Sequence, residues 1–533
     1  MIVIKCKNNS DLSGVYNLTK AFFPDQEIKQ EIDKEQESRL QLTLDRGSCF
    51  SVFPNDNIVR EKEKYLIKRV YDYLSEYTGK TLPWGILTGV RPTKLAMKVL
   101  KDYESSFQRY ENRVGESSEN KEREKSKERE KSEEREKSEV QLYLEQILID
   151  KYYLSEDKAK LALKVAKREN ELIKGLDYED GFSLFVSIPF CPSICSYCTF
   201  GSGDVGKWQD RMDEYVQRLC EEISQVGRMV KENEKYGNEY RHLQTIYIGG
   251  GTPTTLNPQQ FGRLFSAIEE SFSLDKVVEY TVEAGRPETI TKEKLKLFKE
   301  AGVNRISINP QSMNQKTLDR IERNHHVGDI VTAFNLAREE GFDNINMDLI
   351  VGLPGEGMEE IKQTLSEVAK LGPDNLTIHT LAKKRGAKLA VDYKEHDINE
   401  MLHFCYDGAK EMGLTPYYLY RQKNIAGNFE NVGFAKVDKA GIYNILIIEE
   451  LHTILGVGAG GITKFVTREK QGEKDKVSSN GKVGRENCNK GEKKEQITIK
   501  RVANTKDIEN YIRSGKSEIN KNTCNRNERH FAP

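Results

Sequence analysis

Between residues 183 and 380 short β-rich runs alternate with stretches of helical period. The runs are "SLFVSI", "TIYIGG", "EYTVEA", "NRISIN", "INMDLI" and "NLTIHT". Between them lie amphipathic segments such as "DRMDEYVQRLCEEISQVGRMV", "PQQFGRLFSAIEESF" and "MEEIKQTLSEVAKLG". Six strand–helix units in series predict an α/β fold with a parallel sheet. Eight units would close a full barrel; six predict a partial (β/α)6 barrel of the TIM type. In such folds chemistry gathers at the C-terminal ends of the strands. The uncommon residues fall there: three cysteines after the first strand, "GGGTPT" after the second, Glu283 ending the third and "NPQS" after the fourth.

The flanks differ in texture. Residues 1–108 predict an N-terminal accessory α/β domain, with strands at "MIVIKCK" and "LQLTLDR" and a helix at "VREKEKYLIKRVYDYLSEYTG" that stops at Gly79. Residues 109–139 carry the repeat "KEREKS", "KEREKS", "EEREKS" from Lys121 to Ser138. It has no apolar residue to bury and reads as a low-complexity charged insertion. A helical linker follows at 140–182, and the barrel occupies 183–385. Residues 386–468 form a C-terminal α/β region on the substrate side, 469–495 a second low-complexity insertion, and 496–533 a C-terminal extension.

The 533 residues suffice for two or three domains. Lys plus Arg is 83 against 84 for Asp plus Glu, so no long-range field draws the chain to nucleic acid. No run reaches the roughly 18 uninterrupted apolar residues of a membrane span, and "MIVIKCKNNS" lacks the pattern of a signal peptide. Nine cysteines without framework spacing point to a reducing cytoplasm. A monomer is expected.

Three of those cysteines stand in "CPSICSYC", Cys191, Cys195 and Cys198. A zinc site wants a fourth ligand, and no histidine lies at a fitting spacing. A [4Fe–4S] cluster takes one thiolate per iron, so three ligands in one loop leave one iron open to an exogenous chelator. The glycines "GGG" at 249–251 would let a ligand approach the backbone closely, although alone they would read as a turn.

The spacing resembles that of the radical S-adenosylmethionine superfamily. "IPFCPSICSYC", "YIGGGTPTTL", "GVNRISINPQS" and "MDLIVGLPGE" together resemble the oxygen-independent coproporphyrinogen III oxidase group, in particular its coproporphyrinogen dehydrogenase branch with an extra N-terminal domain. The resemblance covers about residues 60–108 and 140–468. It implies a [4Fe–4S] cluster on Cys191, Cys195 and Cys198, and S-adenosylmethionine, two molecules per turnover. It places cofactor contacts at Phe185, Tyr197, Gly250, Gly251, Thr252, Glu283, Gln311, Arg323, Asp348 and Ile462. Relatives commonly carry tyrosine where this chain has Phe185, and histidine where it has Ser187. Tyr197 otherwise reads as packing, Arg323 as a surface arginine and Asp348 as a cap or core pair.

The implied reaction is oxidative decarboxylation of coproporphyrinogen III to protoporphyrinogen IX in haem biosynthesis, with an electron donor the sequence does not identify. An anionic tetrapyrrole calls for cations, and Lys383, Lys384, Arg385 and Arg421 are the candidates; a solvated basic loop is the alternative. A haem-binding chaperone and a radical enzyme acting on another tetrapyrrole are the rival functions. The chaperone relatives carry a His-Asn and Tyr-Trp motif that "YLYRQKNIAGNFENVGFA" lacks. Deleting residues 111–139 is expected to leave the thermal midpoint and iron content nearly unchanged; a large fall in either, by calorimetry or iron assay, would reveal a structural element in place of an insertion.

Overall fold

Each barrel strand alternates apolar and polar side chains, and the two sets face opposite sides of one sheet. In the computed structural model the described residues are 1–44, 47–53, 62–89, 91–115, 127–198, 203–235, 242–382, 395–422, 425–470 and 495–514. The N-terminal strands are β1 (Ile2–Cys6), β2 (Ile28–Ile32), β3 (Leu40–Thr43) and β4 (Cys49–Val52). They form a small sheet in the order β2-β1-β3-β4. Ile2, Ile4 and Cys6 are buried, and helices Asn9–Phe22 and Lys62–Thr78 pack together beside this sheet. Helix Lys127–Tyr152 begins inside the charged repeat, and Tyr153 then turns the chain in a left-handed conformation at φ 62°.

The remaining strands are β5 (Gly181–Ile188), β6 (Phe190–Cys191), β7 (Gly203–Asp204), β8 (His242–Gly250), β9 (Glu279–Glu283), β10 (Arg305–Ser307), β11 (Ile345–Val351), β12 (Asn375–Thr380), β13 (Thr415–Tyr420), β14 (Asn431–Ala435), β15 (Thr453–Val457), β16 (Ile462–Lys470) and β17 (Glu495–Ala503). Eleven of them form one sheet, ordered β13-β14-β12-β11-β10-β9-β8-β5-β15-β16-β17. The six expected barrel strands are consecutive and parallel within it. The region after the barrel extends the same sheet at both ends: β14 runs antiparallel to β12, β15 parallel to β5, and β16 and β17 pair antiparallel beyond it.

On the outer face Leu184, Val186, Ile246, Ile248, Val282, Ile306, Met347, Leu376 and Ile378 are all fully buried. They share one core with the apolar stripes of the helices, such as Leu219, Ile223 and Val226 of Met212–Lys235. In-register neighbours on the other face are Phe185 beside Tyr247, Tyr247 beside Thr281, Glu283 beside Ser307 and Asp348 beside Thr377. The inner face is therefore polar and aromatic. Helix Ile442–Glu449 closes it from the side of the strand N-termini: the Tyr443 amide donates to Glu279 Oε2 at 3.1 Å, and its ring stacks on Tyr247 at 4.5 Å.

A buried carboxylate joins three distant segments to the end of the sheet. Glu430, fully buried, accepts from Trp84 Nε1 at 2.8 Å, Lys158 Nζ at 2.8 Å and Tyr406 Oη at 2.9 Å. Lys158 is itself 1% exposed and also pairs with Asp157 at 3.3 Å. Removing one partner of such a pair leaves a buried charge uncompensated. Glu430→Gln is therefore expected to lower unfolding free energy by about 3 kcal/mol or more, and Trp84→Phe by only about 1 kcal/mol. Urea denaturation checks both; equal midpoints for the two variants would show that the Lys158 charge is satisfied elsewhere.

Candidate active site

The cysteine loop is held at its base by backbone hydrogen bonds. β5 ends at Ile188, and the two-residue strand β6 pairs with β7. The Gly251 amide donates to Ile188 O at 2.8 Å and the Thr252 amide to Phe190 O at 2.7 Å. A Cβ on Gly251 would lie 2.6 Å from Phe190 O, so only glycine fits there. Gly250 has φ +111°, a conformation that L side chains rarely adopt. The triplet thus does more than turn the chain: it seats the strand β8 end directly under the cysteine loop.

Within the loop the Cys198 amide donates to Cys195 O at 3.0 Å and the Ser196 amide to Ile321 O at 3.1 Å. Thr252 Oγ1 donates to Cys191 Sγ at 3.4 Å. None of the three is in a disulfide; Cys195 is buried and the others half-buried. Among the described residues no three Cys, His, Asp or Glu side chains group as ligands of a single metal ion. A cubane makes a different demand, one thiolate per iron with the thiols spread over its face. Three thiols on one clamped turn, with an O–H donor against Cys191 and N–H donors against Cys195, fit that group.

Below the loop lies the inner face. Phe185 is flanked by Tyr247 at 6.2 Å and Tyr443 at 6.4 Å, both stacked. Tyr247 Oη donates to Glu283 Oε1 at 2.5 Å. Burial pushes the Glu283 carboxyl up to about 7, helped by the charge of Asp348 and opposed by the Tyr247 hydrogen bond. Asp348 accepts from Asn346 Nδ2 at 2.7 Å and lies 3.6 Å from His379 Nε2. Hydrogen bonds and the nearby imidazole outweigh burial there and hold its carboxyl below the usual range.

The other expected contacts are distributed as follows. Gln311 sits at φ 66°, bridged to Leu349, with a buried Oε1 that has no partner. Arg323 is buried against the cysteine loop, donating to Cys195 Sγ at 3.7 Å and Tyr197 Oη at 3.4 Å. It is not a surface arginine. Ile462 opens β16 and is exposed. Arg421 is buried over the Trp84 ring and donates to the carbonyls of Leu87 and Asn428. Burial lowers its pKa to about 10. Lys383, Lys384 and Arg385 lie outside the described residues.

Sequence reasoning missed Tyr247, Tyr443 and Arg286. Tyr247 stands two residues before the glycine triplet and Arg286 three after Glu283, so proximity to the motifs was the available signal. Tyr443 carries none, because it reaches the site from a helix beyond the barrel.

Comparison with known proteins shows the family. The Radical SAM superfamily model matches residues 185–368, so the centre of the chain is a radical SAM domain, a class built on a [4Fe–4S] cluster and S-adenosylmethionine. The oxygen-independent coproporphyrinogen-III oxidase-like protein HemZ of Bacillus subtilis is 38% identical over 415 residues, which cover 76% of this chain and 75% of that protein. The chain belongs to this coproporphyrinogen oxidase-like family of radical SAM proteins. The heme chaperone HemW of Bacillus subtilis is 36% identical over 200 residues, 37% of this chain and 50% of HemW. The oxygen-independent coproporphyrinogen III oxidase of Escherichia coli is 33% identical over 204 residues, 38% and 42% of the two chains. The solved structure of Escherichia coli HemN aligns with TM-score 0.45 and 25% identity over 54% of this chain and 65% of that one. No helix among the described residues is long and apolar enough to cross a membrane.

Glu283 sets a pH dependence. Its folded pKa of about 7 exceeds the ordinary 4.5, so the folded protein holds a proton there between those values. Its stabilising contribution is full below the lower value and falls as pH rises through the upper one. An ammonium group placed beside it would reverse the preference and expel that proton. S-adenosylmethionine binding is expected to tighten by up to about tenfold per unit as pH rises toward 7, then level off. Anaerobic titration calorimetry checks this; Glu283→Gln should bind weakly with a flat profile, and an unchanged slope would remove Glu283 from the contact.

Proposed function

We propose that the protein converts coproporphyrinogen III to protoporphyrinogen IX by radical oxidative decarboxylation. The observation that carries this reading is the position of three cysteines on one clamped loop at the end of a polar, aromatic inner sheet face. Relatedness to HemZ over three quarters of both chains supports the substrate class. When bound, the cluster and S-adenosylmethionine supply a carbon-centred radical able to take hydrogen from an unactivated carbon.

The chain's residues would do the rest. Cys191, Cys195 and Cys198 would hold the cluster. The backbone of Gly249–Gly251 would accept the amino acid end of the cofactor, and Glu283 its ammonium. Tyr197 and Phe185 would offer aromatic surface. Gln311, with its unpartnered carbonyl, Arg323 and Asp348 would orient a second cofactor molecule, which a double decarboxylation can use. Lys383, Lys384 and Arg385, which follow β12, are the proposed partners of the propionates. Arg421, already bound to two backbone carbonyls, is a weaker candidate for that role. Each of the two decarboxylations needs one electron from an external donor, and an acceptor must take the electron released with each CO₂.

A haem carrier is the second reading, supported by the match to HemW, of which this chain spans half the length. Anaerobic protein given reductant, S-adenosylmethionine and coproporphyrinogen III is expected to yield a product lighter by two CO₂ and four hydrogens, read by mass spectrometry. The Cys191→Ala, Cys195→Ala, Cys198→Ala triple variant should lose the iron, about four per chain, and all activity. Stoichiometric haem binding with no vinyl product would favour the carrier instead, and iron retained in the triple variant would refute the cluster assignment.

A further inference from the structure

Two arginine side chains converge on one sulfur. Arg286, in the turn after β9, donates from Nη1 to Cys195 Sγ at 3.7 Å. Arg323, after helix Gln315–Arg320, donates from its own Nη1 to the same sulfur, also at 3.7 Å. The two are 3% and 4% exposed, so solvent screens neither charge well. Arg286 also grips the loop through Ser193, whose carbonyl lies at 3.4 Å and Oγ at 3.0 Å. The other partners of Arg323 are neutral: the carbonyls of Gly285 and Asn309 and the Tyr197 hydroxyl. Glu288 lies 2.6 Å from Arg286, and its charge also acts on Arg323, so it opposes both positive charges.

A cluster that gains an electron becomes more negative. Positive charge beside it, and hydrogen bonds to its sulfurs, stabilise the reduced form and raise the reduction potential. We propose that Arg286 and Arg323 set the potential of the cluster held by Cys191, Cys195 and Cys198, with Glu288 lowering it from what the two arginines alone would impose. This rests on the reading that those cysteines hold a cluster. Both arginines act on the cluster through Cys195. The arrangement deepens that reading in one respect: it makes the cluster easier to reduce by a donor of ordinary cellular strength than the same thiols in an uncharged loop would be.

A role confined to holding the loop would change how much cluster is retained without changing its potential. The test is therefore a potential titration of anaerobically reconstituted protein, followed by the electron paramagnetic resonance signal of the reduced cluster. In Arg286→Gln the reduced-to-oxidised ratio at the wild-type midpoint is expected to fall about tenfold, equivalent to 59 mV for one electron. Arg286→Lys, which keeps the charge and loses the fork, should fall between the two. Glu288→Gln should move the opposite way, raising that ratio about threefold or more through the lost negative charge. Ratios within about twofold of wild type in both Gln variants, or shifts of one sign in both, would overturn the inference. If Arg286→Gln retains no cluster, Glu288→Gln decides alone: a raised ratio supports the inference and an unmoved one overturns it. Wild-type protein that takes up no iron overturns the cluster reading and this inference together, whereas loaded protein with unmoved potentials overturns only the latter.

Discussion

A parallel sheet that keeps one face polar must find partners for every group on that face. Most parallel sheets avoid the problem by burying apolar side chains on both sides. Here only the outer face is apolar, and the inner groups satisfy one another across strands. Ser183 meets Thr245 at 2.5 Å and His452 Nε2 at 2.6 Å, linking β5, β8 and the start of β15. Burial depresses that imidazole to about 3, so it joins the network uncharged. Asn346 bridges Asp348 and Thr377. The Gln311 carbonyl and the Tyr443 hydroxyl are among the buried groups left without a partner.

The same constraint explains how the outlying segments attach. Buried carboxylates are costly unless fully hydrogen-bonded, and two of them are satisfied only by residues far away in sequence. Glu430 takes donors from Trp84, Lys158 and Tyr406, which draws the N-terminal region and the helix Glu156–Ile173 onto the end of the sheet. Glu222 takes the Gly458 amide at 2.9 Å, Asn504 Nδ2 at 2.9 Å and Tyr511 Oη at 2.6 Å. That pins the glycine-rich turn after β15 and the helix Ile508–Arg513 to the helix Met212–Lys235. A Cβ on Gly203 would meet Ile508 Cδ1 at 2.7 Å, so this last helix backs β7, the strand paired with β6 at Cys191. The C-terminal segment thus supports the cysteine loop from behind.

The sequence by itself determined the six-unit barrel and the place of the cysteine loop in it. Strand periodicity, helical periodicity and the punctuation between them are local properties, readable from neighbours a few residues apart. "GGG" and "CPSICSYC" were legible for the same reason, each lying on one turn after one strand. Tertiary structure alone decided what surrounds them. The strands β13 to β17 join the barrel's own sheet through pairings that no local pattern specifies, since edge selection depends on which chain segments remain to cover it. Tyr443 reaches the inner face from a helix whose contact with Tyr247 spans almost two hundred residues, and Arg286 and Arg323 meet at Cys195 across separations of 91 and 128 residues. Such meetings follow from packing and from the need to satisfy buried charge, which act between segments only once the chain has folded.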